Sequence, residues 1–177
     1  MSKAVISPST ASGPPDAEPA RRALFSHAAV NSRPVALVYR LLALAVILTG
    51  VIRHANLLTG DPSWTTVLFY TMVSNLLCLA WVLFLIVRTI RDSRQSGPFG
   101  TSTPSARGSG AVMFAITVTM LIYLIVLVPT RFADGDAEIF SLTDNLIHII
   151  TPVLVIVDWL LFVPKGSFRW VDPVSYT

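Results

Sequence analysis

The stretch AVMFAITVTMLIYLIVLV, residues 111–128, contains eighteen consecutive residues without a charged side chain. About 20 mainly apolar residues cross the hydrocarbon core of a bilayer as an α-helix, and about 18 indicate a candidate span. A helix of this length on the surface of a soluble protein would carry polar residues along one face. The stretch therefore predicts a transmembrane helix, and three further segments of the chain have the same character.

These segments are residues 35–52, 64–87 and 146–163. Arg40 is the one charged residue of the first, the second has none, and the third contains His148, Pro152 and Asp158. Only helices and closed barrels satisfy every backbone group inside lipid, and the alternating pattern of barrel strands is absent. The sequence therefore predicts an all-α fold, a polytopic bundle of four transmembrane helices within residues 35–163.

The composition of the 177 residues agrees with a membrane protein. Hydrophobic residues reach 53% and charged residues only 13%, against about 25% charged in a typical soluble domain. The net charge of +3 does not indicate a nucleic-acid partner, because the basic residues mostly flank the apolar runs. The single cysteine excludes an intrachain disulfide, and the three histidines lie far apart. With no phosphate loop or dinucleotide fingerprint either, no metal or cofactor is predicted.

The distribution of Lys and Arg predicts the orientation of the four spans. Cytoplasmic loops collect these residues, and 10 of the 13 fall on one side. They are Lys3, Arg21, Arg22, Arg33, Arg88, Arg91, Arg94, Arg107, Lys165 and Arg169. The other side has only Arg53 and Arg131, and it holds a group of acidic residues between 134 and 144. We therefore expect a protein of the cell membrane with both termini in the cytoplasm.

Three polar segments flank the predicted spans. Residues 1–34 are rich in Pro, Ala and Ser and lack the short apolar region of a signal peptide, so they predict a disordered cytoplasmic tail. Residues 94–110 predict a flexible cytoplasmic linker, because they include the run QSGPFGTSTPSARGSG. Residues 164–177 predict a short cytoplasmic C-terminal tail.

Two opposite charges lie at matching depths in the first and fourth spans. Arg40 is five residues from the cytoplasmic start of the first span, and Asp158 is five residues from the cytoplasmic end of the fourth. At 1.5 Å per residue both are about 7–8 Å deep. We predict a structural ion pair between them. The alternative is an Arg40 that extends to the headgroups beside a protonated Asp158.

A second polar group is expected in the opposite leaflet. Thr71 and Asn75 share one face of the second span, and His148 lies near the outer start of the fourth. Pro152 has no N–H to offer the His148 carbonyl and should kink the helix. Spacing and depth permit a nucleophile and a base here. They equally permit a threonine bonded to its own helix, an asparagine that joins helices and an interfacial histidine.

Two strings resemble signature segments of a bacterial integral membrane family called Pr6Pr. They are FYTMVSNLLCLAW at 69–81 and DNLIHIITPVLVIVDWLLFVPKG at 144–166. The likeness covers roughly residues 35–170 and is carried by Tyr-Thr-x-x-x-Asn, His-x-x-x-Pro and Asp-Trp. The family is distantly similar to the androgen-induced, ADTRP-like proteins of animals, which are described as intramembrane threonine hydrolases of fatty-acid esters of hydroxy fatty acids. Members carry further helices after Asp-Trp, which implies that this chain is truncated or that a partner supplies the missing wall.

This resemblance implies acyl transfer in the membrane, with Thr71 as nucleophile and His148 as base. Asn75, or Ser74 beside it, is our own candidate for donating to the oxyanion. Asp144 at i−4 or Asn145 at i−3 is placed to orient the imidazole.

The residues leave a second hypothesis, a non-catalytic structural or accessory subunit whose polar group packs the helices. A transporter fits less well, because transport sites tend to lie near the midplane on broken helices, and the third span offers only Thr117, Thr119 and Tyr123 there. The expected partners are the bilayer, a lipid ester, and another copy or subunit.

Overall fold

A computed structural model describes residues 28–58, 68–135 and 140–165. These residues contain four long helices, α1 (Arg33–His54), α2 (Tyr70–Ser96), α3 (Ala106–Ala133) and α4 (Leu142–Phe162). No β-strand occurs in the three described ranges. The predicted all-α class is therefore confirmed. The expected tails before residue 28 and after residue 165, and the expected start of the second span at residue 64, lie outside these ranges.

Each helix is long and apolar enough to cross a membrane. The shortest, α4, has 21 residues, about 32 Å at 1.5 Å per residue, and the hydrocarbon core is about 30 Å thick. Only 28–44% of the most apolar window of each helix is buried inside the bundle. The remaining apolar side chains face outward, which is unfavourable in water and favourable in lipid. The four helices therefore fit a multi-pass membrane protein.

The helices run alternately up and down in a ring. α1 packs against α2 and α4, and α3 packs against the same two helices on the other side. We call one end of the bundle the linker end, where α2 ends and α3 begins. The other is the histidine end, where α1 ends and α4 begins. At the histidine end α1 and α4 approach closely, because a Cβ on Gly50 would lie 3.2 Å from side-chain atoms of Leu146 and Ile147.

The segment between α2 and α3 differs from the predicted flexible linker. Both helices extend into the expected range 94–110, so only residues 97–105 connect them. The Arg33 amide donates to the Pro98 carbonyl (2.9 Å), and the Gly100 amide donates to the Asn31 carbonyl (2.9 Å). The Thr103 hydroxyl donates to the Phe162 carbonyl (3.3 Å). These bonds hold the segment across the linker end, and a Pro- and Ser-rich composition alone does not reveal them.

Two π-helical turns widen the helices at the histidine end. They are Tyr123–Leu127 in α3 and Leu146–Ile150 in α4. Each turn ends two residues before a proline, Pro129 or Pro152. A proline cannot donate to the carbonyl four residues back, and its ring clashes with that carbonyl, so a wider turn relieves the conflict. We predicted a kink at Pro152; the structure has a π-helical turn just before it, and another just before Pro129 in α3.

Candidate functional site

The first buried polar cluster joins three helices in the half of the bundle nearer the linker end. Arg40 Nε lies 2.8 Å from Asp158 Oδ1, and Arg40 Nη2 lies 3.5 Å from Oδ2. Arg40 Nη1 donates to the Thr89 hydroxyl (2.7 Å), and the guanidinium lies over the Phe162 ring. Arg40 is only 1% exposed. The guanidinium is therefore paired inside the bundle and does not extend to its surface.

The second cluster is centred on His148 at the histidine end. His148 is buried in the π-helical turn of α4, and its ring stacks on that of Tyr123, with centroids 4.2 Å apart and planes 12° from parallel. Its Nδ1 lies 3.2 Å from the Asp144 backbone carbonyl. The Asp144 carboxylate is 3.9 Å from Nδ1 and is paired with Arg131 (3.0 Å). Asp144 thus orients the imidazole mainly through its backbone.

This contact fixes the tautomer of a neutral His148. A carbonyl oxygen can only accept a hydrogen bond, so Nδ1 must carry the hydrogen. The lone pair of the ring is then on Nε2, which is the nitrogen that a general base would use. Asn145, the other expected orienting residue, donates instead to the Phe140 carbonyl (2.8 Å). The orienting role therefore falls to Asp144.

Asn75 connects the second helix to the fourth across the ring. Its side-chain nitrogen donates to the Thr71 carbonyl (2.8 Å) and to the Ile147 carbonyl (3.1 Å). Asn75 is fully buried, and its Oδ1 has no hydrogen-bond partner among the described residues. Because both amide hydrogens are in use, this conformation offers an acceptor and no donor. In this conformation Asn75 ties two helices together, and its expected role as an oxyanion donor stays a prediction.

Ser74, the other candidate oxyanion donor, is also engaged. Its hydroxyl lies 2.9 Å from the Thr71 carbonyl and 2.9 Å from the Thr119 hydroxyl of α3. The hydroxyl of Thr71 itself makes no hydrogen bond with any described residue, and the residue is half-buried. The Thr71 hydroxyl thus has no partner among the described residues.

The structure brings the expected residues together at the level of the backbone. One Asn75 nitrogen bonds the carbonyls of Thr71 and of Ile147, the residue before His148. Within the described ranges no hydrogen bond joins the Thr71 hydroxyl to the His148 ring. His54, at the end of α1, is half-buried.

Sequence reasoning gave no role in these clusters to Thr89, Thr119 or Tyr123. Thr89 lies beside Arg88, and Thr119 and Tyr123 were considered only as polar residues of the third span. The contacts of each depend on how its helix is rotated about its own axis. Pro129 is the sequence feature that could have drawn attention to Tyr123, because a proline six residues later disturbs the helical turn in which the tyrosine lies.

The histidine end therefore combines an unengaged hydroxyl, an oriented imidazole and a buried amide that ties their helices. Comparisons of the chain with protein-family models, curated proteins and solved structures found no match. No cluster of three or more His, Cys, Asp or Glu that could hold a metal ion occurs in the described residues. The chemistry open to this group is proton transfer and nucleophilic attack by a hydroxyl.

Proposed function

We propose that this chain is a multi-pass lipid-ester hydrolase of the cell membrane, with Thr71 as its nucleophile and His148 as its general base. The observation that carries the proposal is the position of Asn75. Its side-chain nitrogen donates hydrogen bonds to the backbone carbonyls of both Thr71 and Ile147. The Asp144 contact adds support, because it leaves Nε2 of His148 as the basic nitrogen. The resemblance to the Pr6Pr family and to the animal threonine hydrolases agrees with these roles.

The reaction would proceed through an acyl-threonine. As Thr71 Oγ1 bonds to the ester carbonyl carbon, His148 Nε2 takes the hydroxyl proton. The ester bond then breaks, and the leaving alcohol receives that proton. In the second half, Nε2 takes a proton from water as the water oxygen bonds to the acyl carbon. The carboxylic acid leaves, and the proton returns to Thr71. A lipid ester would enter from the bilayer beside the half-buried Thr71.

A non-catalytic structural or accessory subunit is the alternative. The observation that favours it is that Asn75, Ser74 and Arg40 each make a hydrogen bond to another helix. Such bonds pack a membrane bundle whether or not it performs chemistry.

Labelling with a fluorophosphonate probe separates the two. The purified wild type should be labelled, and Thr71→Ala and His148→Ala should each lose labelling. Thr117→Ala is the matched control, because Thr117 is a span threonine whose hydroxyl bonds the Met113 carbonyl of its own helix, and it should be labelled like the wild type. Equal labelling of all four proteins, or none in a folded wild type, would favour the accessory subunit.

The orientation is part of the same proposal. The basic bias of the sequence predicts that the histidine end faces outward and that both termini are cytoplasmic. A cysteine at Asn56, in a Cys78→Ala background, should react with an impermeant maleimide in intact cells, whereas one at Ser96 should react only after lysis. The reverse pattern would contradict the orientation.

A further inference from the structure

A second feature of the histidine end is a cavity between the end of α1 and the start of α4. Its volume is about 250 Å³, and it opens to the surface. The residues that line it are Ile52, Arg53, Asn56, Leu58 and Thr143. Two of these residues are apolar and three have polar side chains. The cavity therefore suits a ligand group that has both apolar and polar parts.

The polar side chains of the cavity are hydrogen-bond donors. Arg53 Nε donates to the Thr143 hydroxyl (3.3 Å). The two terminal nitrogens of Arg53 make no hydrogen bond or ion pair with the described part of the chain. Since the Thr143 oxygen accepts from Arg53, its own hydrogen remains available. None of the described residues that line the cavity is an Asp or a Glu.

The acceptors at the end of α1 are already occupied. The Arg53 and Ile52 carbonyls accept from the backbone amides of Asn56 and Leu57, each at 3.2 Å. A helix C-terminus normally favours a cation, because its last carbonyls carry partial negative charge. Here the next turn caps these carbonyls, so the cavity presents mainly the side chains of Arg53 and Thr143.

We propose that this cavity binds the phosphate group of a lipid headgroup. The planar fork of an arginine pairs with two phosphate oxygens at once, and the Thr143 hydroxyl can serve a third. Typical ligand pockets measure about 300–1,000 Å³, so this cavity has room for a headgroup and not for its acyl chains. It also lies where the spans end, which is where a bilayer places its headgroups.

The same geometry suggests a substrate class, an inference that rests on the proposed function. His148 follows Thr143 by five residues, which is about 7–8 Å along the helix axis toward the hydrocarbon. In a glycerophospholipid the acyl esters likewise lie on the hydrocarbon side of the phosphate. A phosphate held at Arg53 would therefore bring the esters of that lipid to the depth of His148.

The test is a lipid titration followed by native mass spectrometry in a neutral detergent without phosphate. Wild type should bind phosphatidylglycerol at least about tenfold more tightly than Arg53→Gln, since charge-assisted bonds are lost. Diacylglycerol with the same acyl chains should bind no better to wild type than to the variant. Arg91→Gln removes an exposed arginine near the opposite end and should bind like the wild type. Thermal melting shows whether each variant is folded.

Equal affinity of wild type and Arg53→Gln for phosphatidylglycerol would overturn the proposal, and so would equal affinity of wild type for the two lipids. Displacement of the lipid by millimolar inorganic phosphate, with loss of phosphate binding in Arg53→Gln, would retain the phosphate site and assign it to a free anion. Thr71→Ala should bind phosphatidylglycerol normally. A failure of the hydrolase proposal is thereby distinguished from a failure of this one.

Discussion

Replacement of Asp158 by leucine should reduce the free energy of unfolding by about 3–5 kcal/mol, because it leaves a buried charge without its counter-ion. Arg40 is 1% exposed, so its guanidinium cannot turn to water without opening the bundle. Only the bond from Nη1 to the Thr89 hydroxyl would remain. That neutral partner cannot compensate for the loss of a carboxylate that lies 2.8 Å from Nε.

The double variant Arg40→Met with Asp158→Leu should recover most of this loss. It removes both charges and fills their space with apolar side chains, a change that is often neutral in buried pairs. The two single changes should therefore be strongly non-additive. Removal of the weaker partner, by Thr89→Val, should cost about 1.5–3 kcal/mol, the value of a hydrogen bond to a charged group.

Unfolding by sodium dodecyl sulfate in mixed micelles, followed by circular dichroism, measures these energies. The matched control is Asp92→Leu, which breaks the Arg88–Asp92 pair of α2, with a separation of 3.8 Å and an Arg88 side chain 40% exposed. That pair should contribute less than about 1 kcal/mol. An Asp158→Leu variant within about 1 kcal/mol of wild type would refute the reasoning. A double variant as unstable as the sum of the singles would also refute it.

Three further substitutions test the packing. Gly50→Leu should destabilise the bundle by about 1–3 kcal/mol by overpacking the close contact of α1 with α4, as measured by the same unfolding titration. Gly100→Ala should cost a similar amount, since its φ is +114° and a Cβ would lie 2.9 Å from Arg33 Nη2; an unchanged midpoint would contradict this. Tyr123→Leu should slow probe labelling about 2–10-fold by releasing the stacked His148 ring, with the unfolding midpoint as its control; unchanged labelling would contradict the positioning role.

The helices could be predicted from the sequence because apolar length alone dictates them in lipid. The residues at which the helices begin and end could not be predicted in this way. α2 continues to Ser96 because nothing after Arg88 interrupts a helix until Gly97, whose φ is positive. Several hydrogen bonds of residues 97–105 join backbone groups of Asn31 and Arg33 and the end of α4, and backbone partners leave no mark on a sequence.

The two polar clusters were likewise predictable only in part. Opposite charges at matching depth identify Arg40 and Asp158, because a charge in lipid has few other partners. An asparagine that joins helices was one of the open alternatives for Asn75, but its partner, a backbone carbonyl of α4, was not predictable. The stacking of Tyr123 on His148 depends on two π-helical turns that shift the register of both helices. These contacts depend on the rotation of each helix about its own axis, which cannot be read from the sequence.

The central claim is that Thr71 and His148 share one pocket, and cross-linking tests it most directly. In a Cys78→Ala background, cysteines at positions 71 and 148 should be joined rapidly by a bifunctional maleimide with a short spacer. The control pairs the cysteine at 148 with one replacing Val73, which is 51% exposed on the outer face of α2, and it should react much more slowly. Rapid linkage of both pairs, or of the control alone, would contradict the account.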